Sequence, residues 1–359
     1  MKIGIFTFHC AINYGAVLQA YALQEYLKSL GHNVFIIDYR PSYLTYPYRI
    51  FRWNEHPNRF VPFIKWFIRE LLVVPIRWKR RNAFNKFIYQ QLNMCKLDLN
   101  DTSNDFDAFV FGSDQIWNPN ITRGIDPVFV GNFPAAESKK MYSYAGSIGA
   151  IENLTDEQIC SLNLALDSFV KIGVREMHII DLLHNKPKVH YTIDPILLAG
   201  ASIFKNKMNQ INISTPYILM FTLGREEYVA ERAQYISRRT GMRIVEVVSS
   251  RESILNLKIL QTITPLDLVT YIANSSYVIT SSYHGLLLSL IFEKEFNYVY
   301  KNHSTAARSL DVLSELGVSD HAVSYLELNK SDIKSVNYTN VMREIRQLQK
   351  DATQFLQLN

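Results

Sequence analysis

Short apolar runs alternate with stretches of helical periodicity along most of this 359-residue chain, and this alternation constrains the fold more than any other feature. The first unit has an apolar run at 3–8 and a helix that begins after Asn13 and ends at Gly31. A second apolar run follows at 33–38. Apolar residues recur at helical spacing between the two runs. A strand, helix and strand in this order predict a parallel sheet with helices on its faces.

The alternation occurs twice, on either side of a polar, amide-rich stretch at 200–215. We predict an N-terminal domain at 1–199, a linker at 200–215 and a C-terminal domain at 216–359 with terminal helices. Further strands are predicted at 107–112, 139–146, 171–174, 189–194, 217–223, 243–249, 277–280 and 296–300. The fold class is therefore α/β, with two parallel sheets around a central cleft. Ligands of such sheets bind at the carboxyl ends of the strands.

Composition excludes several classes of protein. Apolar residues make up 48% of the chain and charged residues 20%, which is typical of a folded protein rather than a disordered one. Cys10, Cys95 and Cys160 are too few and too widely spaced for a disulfide framework or a zinc site. The N-terminus lacks a cleavable signal, and no apolar run is long enough to span a membrane. We expect a soluble cytoplasmic protein that uses no metal.

The positive charge is concentrated in an insert at about 45–90. Residues 49–86 carry ten Lys or Arg against two Glu, which gives +8, so the rest of the chain carries −3 of the net +5. Aromatic residues lie between these cations. Such a stretch is suited to an anionic bilayer, as a peripheral contact at the inner face of the membrane. The alternative is a helical hairpin packed on the N-terminal domain. No nucleic-acid motif accompanies the charge, so nucleic-acid binding is not expected.

Polar residues crowd the ends of two predicted strands in the N-terminal domain. Asn13, Tyr14 and Gly15 open the first helix, where backbone N–H groups favour anions. An Asn cap with a turn glycine explains the same residues. The second group is Gly112, Ser113, Asp114 and Trp117. Its polar groups suit sugar hydroxyls and its indole could stack on a sugar face, whereas a capped turn over a buried Trp is the alternative.

Arg175 and His284 are the strongest candidates for chemistry. Arg175 follows the strand at 171–174, where it could pair with a carboxylate or phosphate. His284 lies among hydroxyls at a helix start, directly after the strand at 277–280. A structural histidine and a surface arginine are the alternatives. His9, at the end of the first strand, is a second candidate histidine, and Cys10 is interpreted as a small buried thiol.

Several of these segments together resemble the polysaccharide pyruvyl transferase family. The resemblance is carried by NYGAVLQAYALQ, FVFGSDQIWN, SYAGSIG, GVRE followed by TIDPILL, ITSSYHGLLLSLIF and AARSLDVLSELGV, in that order. These motifs run from residue 3 to about residue 317. Gly173, where Ser is common in the family, and the basic insert depart from the family pattern.

The resemblance implies a GT-B-like fold of two Rossmann-like lobes, with phosphoenolpyruvate as co-substrate, a sugar diol as acceptor and a pyruvate ketal as product. It implies catalytic roles for Arg175 and His284. The implied donor-binding residues are Ser282, Tyr283, Gly285 and Arg308. The acceptor is assigned to Asn13, Tyr14, Gly15, Gly112, Ser113, Asp114, Trp117 and Ser147. A membrane contact would suit an acceptor that is linked to a lipid.

Two other functions are compatible with the sequence. A GT-B-type glycosyltransferase that uses a nucleotide sugar predicts a carboxylate near the C-terminal site, and Glu293 and Glu295 lie too far along the helix for this role. A non-catalytic sugar-binding protein of the same fold is the other alternative. The pyruvyl transferase, the glycosyltransferase and the non-catalytic protein are distinguished by measuring whether the protein binds phosphoenolpyruvate or nucleotide sugars.

Overall fold

A computed structural model of the chain describes residues 1–51, 60–150, 152, 154–184, 186–211, 213, 215–248, 262–330 and 332–358. The first lobe contains a parallel sheet of seven strands. These are β1 (Lys2–Phe6), β2 (Asn33–Ile37), β3 (Met94–Cys95), β4 (Ala108–Asp114), β5 (Lys140–Gly146), β6 (Lys171–Val174) and β7 (Val189–Tyr191). Their order across the sheet is β3-β2-β1-β4-β5-β6-β7.

The second lobe contains a parallel sheet of five strands in the order β12-β11-β10-β8-β9. These are β8 (Tyr217–Thr222), β9 (Arg243–Val248), β10 (Tyr277–Thr280), β11 (Glu295–Tyr300) and β12 (Ala322–Ser324). The two parallel-sheet domains predicted from the alternation are confirmed. The two-residue β3 and the three-residue β12 were not predicted, because runs this short carry no periodicity.

Helices cover both sheets. They are α1 (Tyr14–Ser29), α2 (Ser42–Thr45), α3 (Phe60–Gln91), α4 (Pro119–Thr122), α5 (Asp156–Leu166), α6 (His178–Leu182), α7 (Pro195–Ala199), α8 (Ser202–Lys205), α9 (Glu227–Thr240), α10 (Pro265–Asn274), α11 (Tyr283–Ile291), α12 (His303–Glu315) and α13 (Tyr338–Phe355).

Local sequence sets the helix ends. The side chain of Asn13 accepts hydrogen bonds from the N–H groups of Gly15 and Ala16, which caps α1 as predicted. Thr155 and Gln158 form a capping box at the start of α5. Gly241 ends α9 at a φ of 71°, a left-handed conformation that glycine adopts without strain. The cap at Asn13 thus starts α1 just after the carboxyl end of β1.

The two lobes share one apolar core. Side chains of α1 and α7 from the first lobe contact α10 and α11 from the second, and a single buried cluster runs across the boundary. Tyr14, for example, packs its ring on Phe221 of β8. Helix α1, which begins after Asn13, and helix α11, which contains His284, are thus held against each other by burial of apolar surface.

The last helix contacts both lobes. At its start, the hydroxyl of Tyr338 donates to the carbonyl of Lys294 in the second lobe. Near its end, Thr353 hydrogen-bonds Tyr26, and the ring of Phe355 packs on Tyr144 in the first lobe. Lys171 at the start of β6 donates to the carbonyl of Phe355 at 3.1 Å. Helix α13 therefore bridges the lobes on the side of the first sheet where β6 begins.

Residues 60–91, which include most of the basic insert, form the long helix α3, whereas residues 52–59 of the insert lie outside the described residues. The C-terminal half of α3 packs into the core through Phe84, Phe87 and Ile88. Its N-terminal half exposes apolar side chains, among them Ile68 (53% exposed) and Leu72 (72% exposed). Among the described residues, no helix is long and apolar enough to cross a membrane.

Candidate active site

The candidate site lies where the first turns of α11 and α12 face the carboxyl ends of β6 and β7. A cavity of about 440 Å³ opens there between the lobes. Its walls include Glu176 and His178 after β6, and Ser304, Thr305 and Arg308 of α12. Residues from both lobes are needed to form it, which is the position expected for a ligand site in paired α/β domains.

Arg175 is buried among three carboxylates. Its side chain is 1% exposed, and its guanidinium lies 3.3 Å from Glu176 Oε1, 3.4 Å from Asp194 Oδ2 and 3.8 Å from Asp114 Oδ1. Burial alone would lower the pKa of Arg175, but the neighbouring Glu176, Tyr283, Asp114 and Asp194 outweigh it and hold the pKa above the usual arginine value. Arg175 therefore stays positively charged in a fixed position.

Tyr283 lies between two arginines from different lobes. The guanidinium carbon of Arg175 is 5.2 Å from the centre of its ring and that of Arg308 is 4.8 Å. Both distances allow cation–π attraction. Burial and the charge of Asp194 raise the pKa of Tyr283 despite these cations. A neutral tyrosine ring thus separates two positive charges and fixes the distance between them.

His284 is held between the two lobes. A Cβ atom built on Gly15 would lie 1.9 Å from His284 Nδ1, so the imidazole packs directly on the glycine at the start of α1. His284 Nε2 lies 3.6 Å from Asp194 Oδ2. Burial would raise the pKa of Asp194, but His284, Arg175 and the N–H of Ile196 lower it below the usual value. An ionised Asp194 therefore faces both His284 and Arg175.

Unpartnered polar atoms collect at this cavity, which Glu176, His178 and Arg308 line, and beside it, at Arg175 and His284. Within the described part of the chain, five of them are buried without a hydrogen-bond partner: Arg175 Nη2, Glu176 Oε2, His178 Nε2, His284 Nε2 and Arg308 Nη1. Buried polar atoms in native proteins nearly always have a partner in the protein, in water or in a ligand. Donors and acceptors of this kind around one cavity are suited to a ligand with both anionic and hydroxyl groups.

Several predicted site residues hold the local backbone instead of facing the cavity. Asn13 caps α1, and the hydroxyl of Ser282 caps α11 by accepting from the N–H of Gly285 at 3.3 Å. A Cβ on Gly285 would lie 2.6 Å from Thr280 Oγ1, so this glycine allows α11 to pack on the sheet. A Cβ on Gly112, which has a φ of 118°, would lie 2.2 Å from the carbonyl oxygen of Tyr144.

The interpretation of Trp117 as a platform for a sugar is wrong. Its side chain is fully buried, its indole N–H donates to the carbonyl of Phe129 at 3.1 Å, and Gly146 makes room for its ring. Tyr14 is equally unavailable to an acceptor, because it is buried and its hydroxyl donates to the carbonyl of Ile263. Both rings are core residues whose polar atoms are satisfied by main-chain carbonyls.

Two predicted hydroxyls in the first lobe have different surroundings. Ser113 is fully buried and its Oγ has no hydrogen-bond partner among the described residues. The hydroxyl of Ser147 donates to Glu176 Oε1 at 2.8 Å, so Ser147 positions Glu176 rather than facing the acceptor. Asp114 remains partly exposed and lies on the Arg175 side of the cleft.

Sequence reasoning missed Glu176, His178 and Asp194 as site residues. Glu176 and His178 follow Arg175 directly, and Asp194 follows β7 as the cap of α7. The signal was present, because Asp194 lies at a strand end before Pro195. An aspartate before proline is also an ordinary helix cap, and nothing local indicated that it meets a histidine from the other lobe.

The second candidate histidine is structural. His9 is fully buried, and its ring nitrogens lie 3.1 Å from the carbonyl oxygen of Thr7 and 3.0 Å from Asp38 Oδ1. Burial raises the pKa of the neighbouring Cys10 thiol to about 11, so this cysteine is not a nucleophile at neutral pH.

Solved structures of known proteins align with nearly the whole of this chain. UDP-N-acetylglucosamine 2-epimerase from Rickettsia bellii aligns with a TM-score of 0.52 and 8% identity, over 99% of this chain and 96% of the epimerase. The ADP-heptose heptosyltransferase II of E. coli aligns with a TM-score of 0.39 and 11% identity, over 98% and 100%. The epimerase likeness defines the class of fold: two Rossmann-like domains of the GT-B type around a cleft.

The sequence itself defines the family. The family model of polysaccharide pyruvyl transferase matches residues 13–303, which include every element that contributes His284 and Arg175 to the cleft. The chain therefore belongs to the polysaccharide pyruvyl transferase family and is a transferase. No curated protein sequence gives a significant match to the chain.

Proposed function

We propose that this protein transfers the pyruvate unit of phosphoenolpyruvate to a sugar diol and forms a pyruvate ketal. The observation that carries the proposal is a group of unpartnered atoms at one place between the lobes: Glu176 and Arg308 line the cavity, Arg175 contacts Glu176, and His284 lies beside Asp194, which also contacts Arg175. Phosphoenolpyruvate needs cationic ligands for its phosphate and carboxylate, and a ketal-forming enzyme also needs groups that move protons.

Arg308 and the first turn of α12 are suited to the phosphate of the donor. Ser304, Thr305 and Arg308 line the cavity, and the side chain of Asn302 makes no capping hydrogen bond at this end of the 13-residue helix. Uncapped N–H groups and the helix dipole favour an anion there. Arg175 is largely neutralised by its carboxylates, so its remaining Nη2 donor is suited to orient the donor's carboxylate through a directed hydrogen bond.

His284 is the group best placed to move protons. In the reaction, the first hydroxyl adds to C2 of phosphoenolpyruvate while C3 gains a proton. Phosphate then leaves C2, and the second hydroxyl bonds to C2 and loses its proton. One hydroxyl proton is balanced by the new methyl C–H bond and the other leaves with phosphate. The ionised Asp194, 3.6 Å away, stabilises the imidazolium that forms when His284 takes up a proton.

The acceptor is proposed to be a saccharide, as a polysaccharide or a lipid-linked precursor. The exposed apolar side chains on α3 and its cations support a peripheral contact with anionic lipid. Vesicle co-sedimentation tests it: we expect binding that depends on anionic lipid and is weakened by Leu72→Glu. The matched control is Leu164→Glu on α5, where the leucine is 68% exposed. Equal binding to neutral vesicles would exclude this contact.

Thermal shift and turnover test the donor. We expect stabilisation by phosphoenolpyruvate and not by nucleotide sugars, and acceptor-dependent release of phosphate from phosphoenolpyruvate. Arg308→Ala should abolish most of the thermal shift, because it removes an unpartnered cation from the cavity. Exposed Arg238, in the last turn of α9, offers a control for the loss of one positive charge. A thermal shift with nucleotide sugars alone would overturn the proposal.

One observation favours the glycosyltransferase alternative. That function predicts a carboxylate near the second-lobe site, and Glu226 lies there, accepting a hydrogen bond from the hydroxyl of Ser281. Its other oxygen accepts from the hydroxyl of Tyr228 at 2.9 Å. Both oxygens are thus occupied within the lobe, which makes Glu226 a poor ligand for a ribose. The nucleotide-sugar arm of the thermal-shift experiment decides between the two functions.

A further inference from the structure

A second cavity, of about 250 Å³, lies in the first lobe between the β1–α1 loop, the segment before residue 50 and α3. It is separate from the cavity at Arg308 and shares no lining residue with it. The residues of its wall that matter here are Ile12, Tyr48, Asn85, Arg40, Arg49 and Arg81.

Positive charge dominates this wall. Three arginines surround the cavity, and among its described lining residues there is no Asp or Glu. Asp38 is the nearby carboxylate, and it pairs with Arg40 Nε at 2.5 Å. Like charges around one small cavity repel each other, and an anion between them removes that repulsion. The wall also offers the amide of Asn85 as a neutral donor.

Two of the guanidinium groups are already held in place. Arg40 is fixed by Asp38 and by a hydrogen bond of 3.4 Å to the hydroxyl of Tyr89. Arg49 stacks over the ring of Tyr46, with 4.6 Å between its guanidinium carbon and the ring centre. Donors that are oriented before binding lose less conformational entropy when a ligand arrives. Two of the three arginines are thus oriented before a ligand arrives, as is expected of a binding site.

The cavity is close to the catalytic centre. Ile12 lines it, and Gly15, three residues further on, touches the imidazole of His284. Three residues span roughly 10 Å at full extension, so the side of the cavity formed by Ile12 is within about this distance of the glycine that touches His284. Arg80 of α3 donates to the carbonyl of Ile12 at 3.4 Å and ties this loop to the helix that supplies Arg81.

We propose that this cavity binds a phosphate or diphosphate group of the acceptor, so that the acceptor is a phosphate-bearing saccharide whose diol reaches His284. The inference rests on the proposed pyruvyl transfer for the identity of the acceptor. The arginines proposed to bind the donor, Arg175 and Arg308, do not line this cavity. Guanidinium groups bind phosphate through paired, charge-assisted hydrogen bonds, which fits a cavity with three of them.

Calorimetry with inorganic pyrophosphate tests the site without any turnover. We expect binding to the wild-type chain to weaken at least about tenfold in Arg49→Ala/Arg81→Ala, because each charge-assisted hydrogen bond contributes substantially to binding. Arg343→Ala/Arg346→Ala removes the same charge from the exposed face of α13 and should bind as the wild type does. Equal weakening in both double variants, or no weakening in the first, would overturn the proposal.

Kinetics separate this site from the donor site and identify the source of the phosphate. The same saccharide is supplied as acceptor with and without its phosphate. In the Arg49→Ala/Arg81→Ala variant, KM should rise only for the phosphate-bearing acceptor, and KM for phosphoenolpyruvate should stay unchanged. A raised KM for phosphoenolpyruvate instead would assign the cavity to the donor and overturn the proposal. A larger effect with a lipid-linked diphosphate than with a soluble sugar phosphate would identify the lipid-linked source. Arg81→Glu, with its fold checked by circular dichroism, provides an independent variant.

If pyrophosphate binds as expected while no saccharide is converted, the pyruvyl transfer fails and the anion site remains. If phosphoenolpyruvate is consumed but pyrophosphate does not bind, the anion site fails and the pyruvyl transfer remains. The two proposals are therefore distinguishable.

Discussion

After β1 and after β10, a histidine lies close to an aspartate. The two pairs differ in how completely the histidine ring is hydrogen-bonded to the protein. His9 Nε2 lies 3.0 Å from Asp38 Oδ1, and its other nitrogen is 3.1 Å from a carbonyl oxygen. His284 Nε2 lies 3.6 Å from Asp194 Oδ2 and has no hydrogen-bond partner among the described residues. The first histidine is saturated and fully buried, whereas the second is unsatisfied at the boundary between two lobes.

This difference separates a structural histidine from a chemical one. A ring with both nitrogens hydrogen-bonded to protein groups stabilises the fold and has no nitrogen left to face a ligand. A ring that faces a buried carboxylate without a full hydrogen bond keeps a nitrogen available for a ligand. The residue type and the strand-end position are the same in both cases, so only the partners decide the role.

The largest expected difference concerns turnover. We expect His284→Ala to lower kcat by about 10²- to 10⁴-fold, because it removes the group that moves protons. Ketal formation measured by acceptor-dependent phosphate release checks this, with the urea midpoint as the control for folding. Near-normal turnover in the variant would remove His284 from the catalytic residues.

A smaller loss of turnover is expected from Gly15→Ala. Its new methyl group would displace the imidazole, since a Cβ there lies 1.9 Å from His284 Nδ1. A displacement of about 1 Å can cost roughly 10²-fold in rate. Gly224→Ala is the matched control, because a Cβ there meets nothing within 4 Å. Unchanged turnover in Gly15→Ala would show that the position of His284 does not limit the reaction.

The His9 pair should respond in stability instead of turnover. His9→Ala removes the two buried hydrogen bonds of the ring, to Asp38 and to the carbonyl of Thr7, and we expect it to cost about 1–3 kcal/mol of the free energy of unfolding. Urea denaturation measures this, while turnover per folded molecule should remain. Loss of turnover in a fully folded His9→Ala protein would break the distinction between the two histidines.

The smallest expected effect is the pH dependence of the two aspartates. The pKa of Asp194 lies below its usual value, so its ionised form adds stability that is complete above about pH 4 and is lost as pH falls through its folded pKa. The stability difference between wild type and Asp194→Asn should therefore shrink on acidification. Asp38 is the comparison, because the His9 hydrogen bond and Arg40 lower its pKa to about 2. Urea midpoints at pH 7 and at about pH 3, below the usual aspartate pKa, measure both, and a difference that grows on acidification would contradict the assignment.

Periodicity and capping residues were sufficient to predict the two sheets and the helices that begin at the candidate site. Asn13 and Thr155 act locally, so their roles could be read from the sequence, and His284 could be placed at a helix start after a strand. The direction of side chains in a turn was not predictable. Trp117 turns inward because Gly146, on the neighbouring strand, leaves room for its ring, and that pairing joins residues far apart in sequence.

Contacts between the lobes account for most of the site geometry that could not be predicted from the sequence. Asp194, Glu176 and Arg308 lie far from His284 in the sequence, and each alone is compatible with an ordinary surface or capping role. Their joint function comes from how α11 and α12 dock against the ends of β6 and β7. Packing of an entire lobe decides that geometry, and no local pattern records it.

Helix α13 connects the two lobes from outside the cleft. Its 18 residues span about 27 Å, with Tyr338 bound to the second lobe and Phe355 packed on the first. The lobes are therefore attached to each other twice, by the connection from α8 to β8 and by α13, and two attachments define a rotation axis. To widen the cleft for a large saccharide, the lobes must rotate about that axis or break the contacts at one end of α13. The clearance at His284 is thus governed by a part of the chain that never touches the reacting groups.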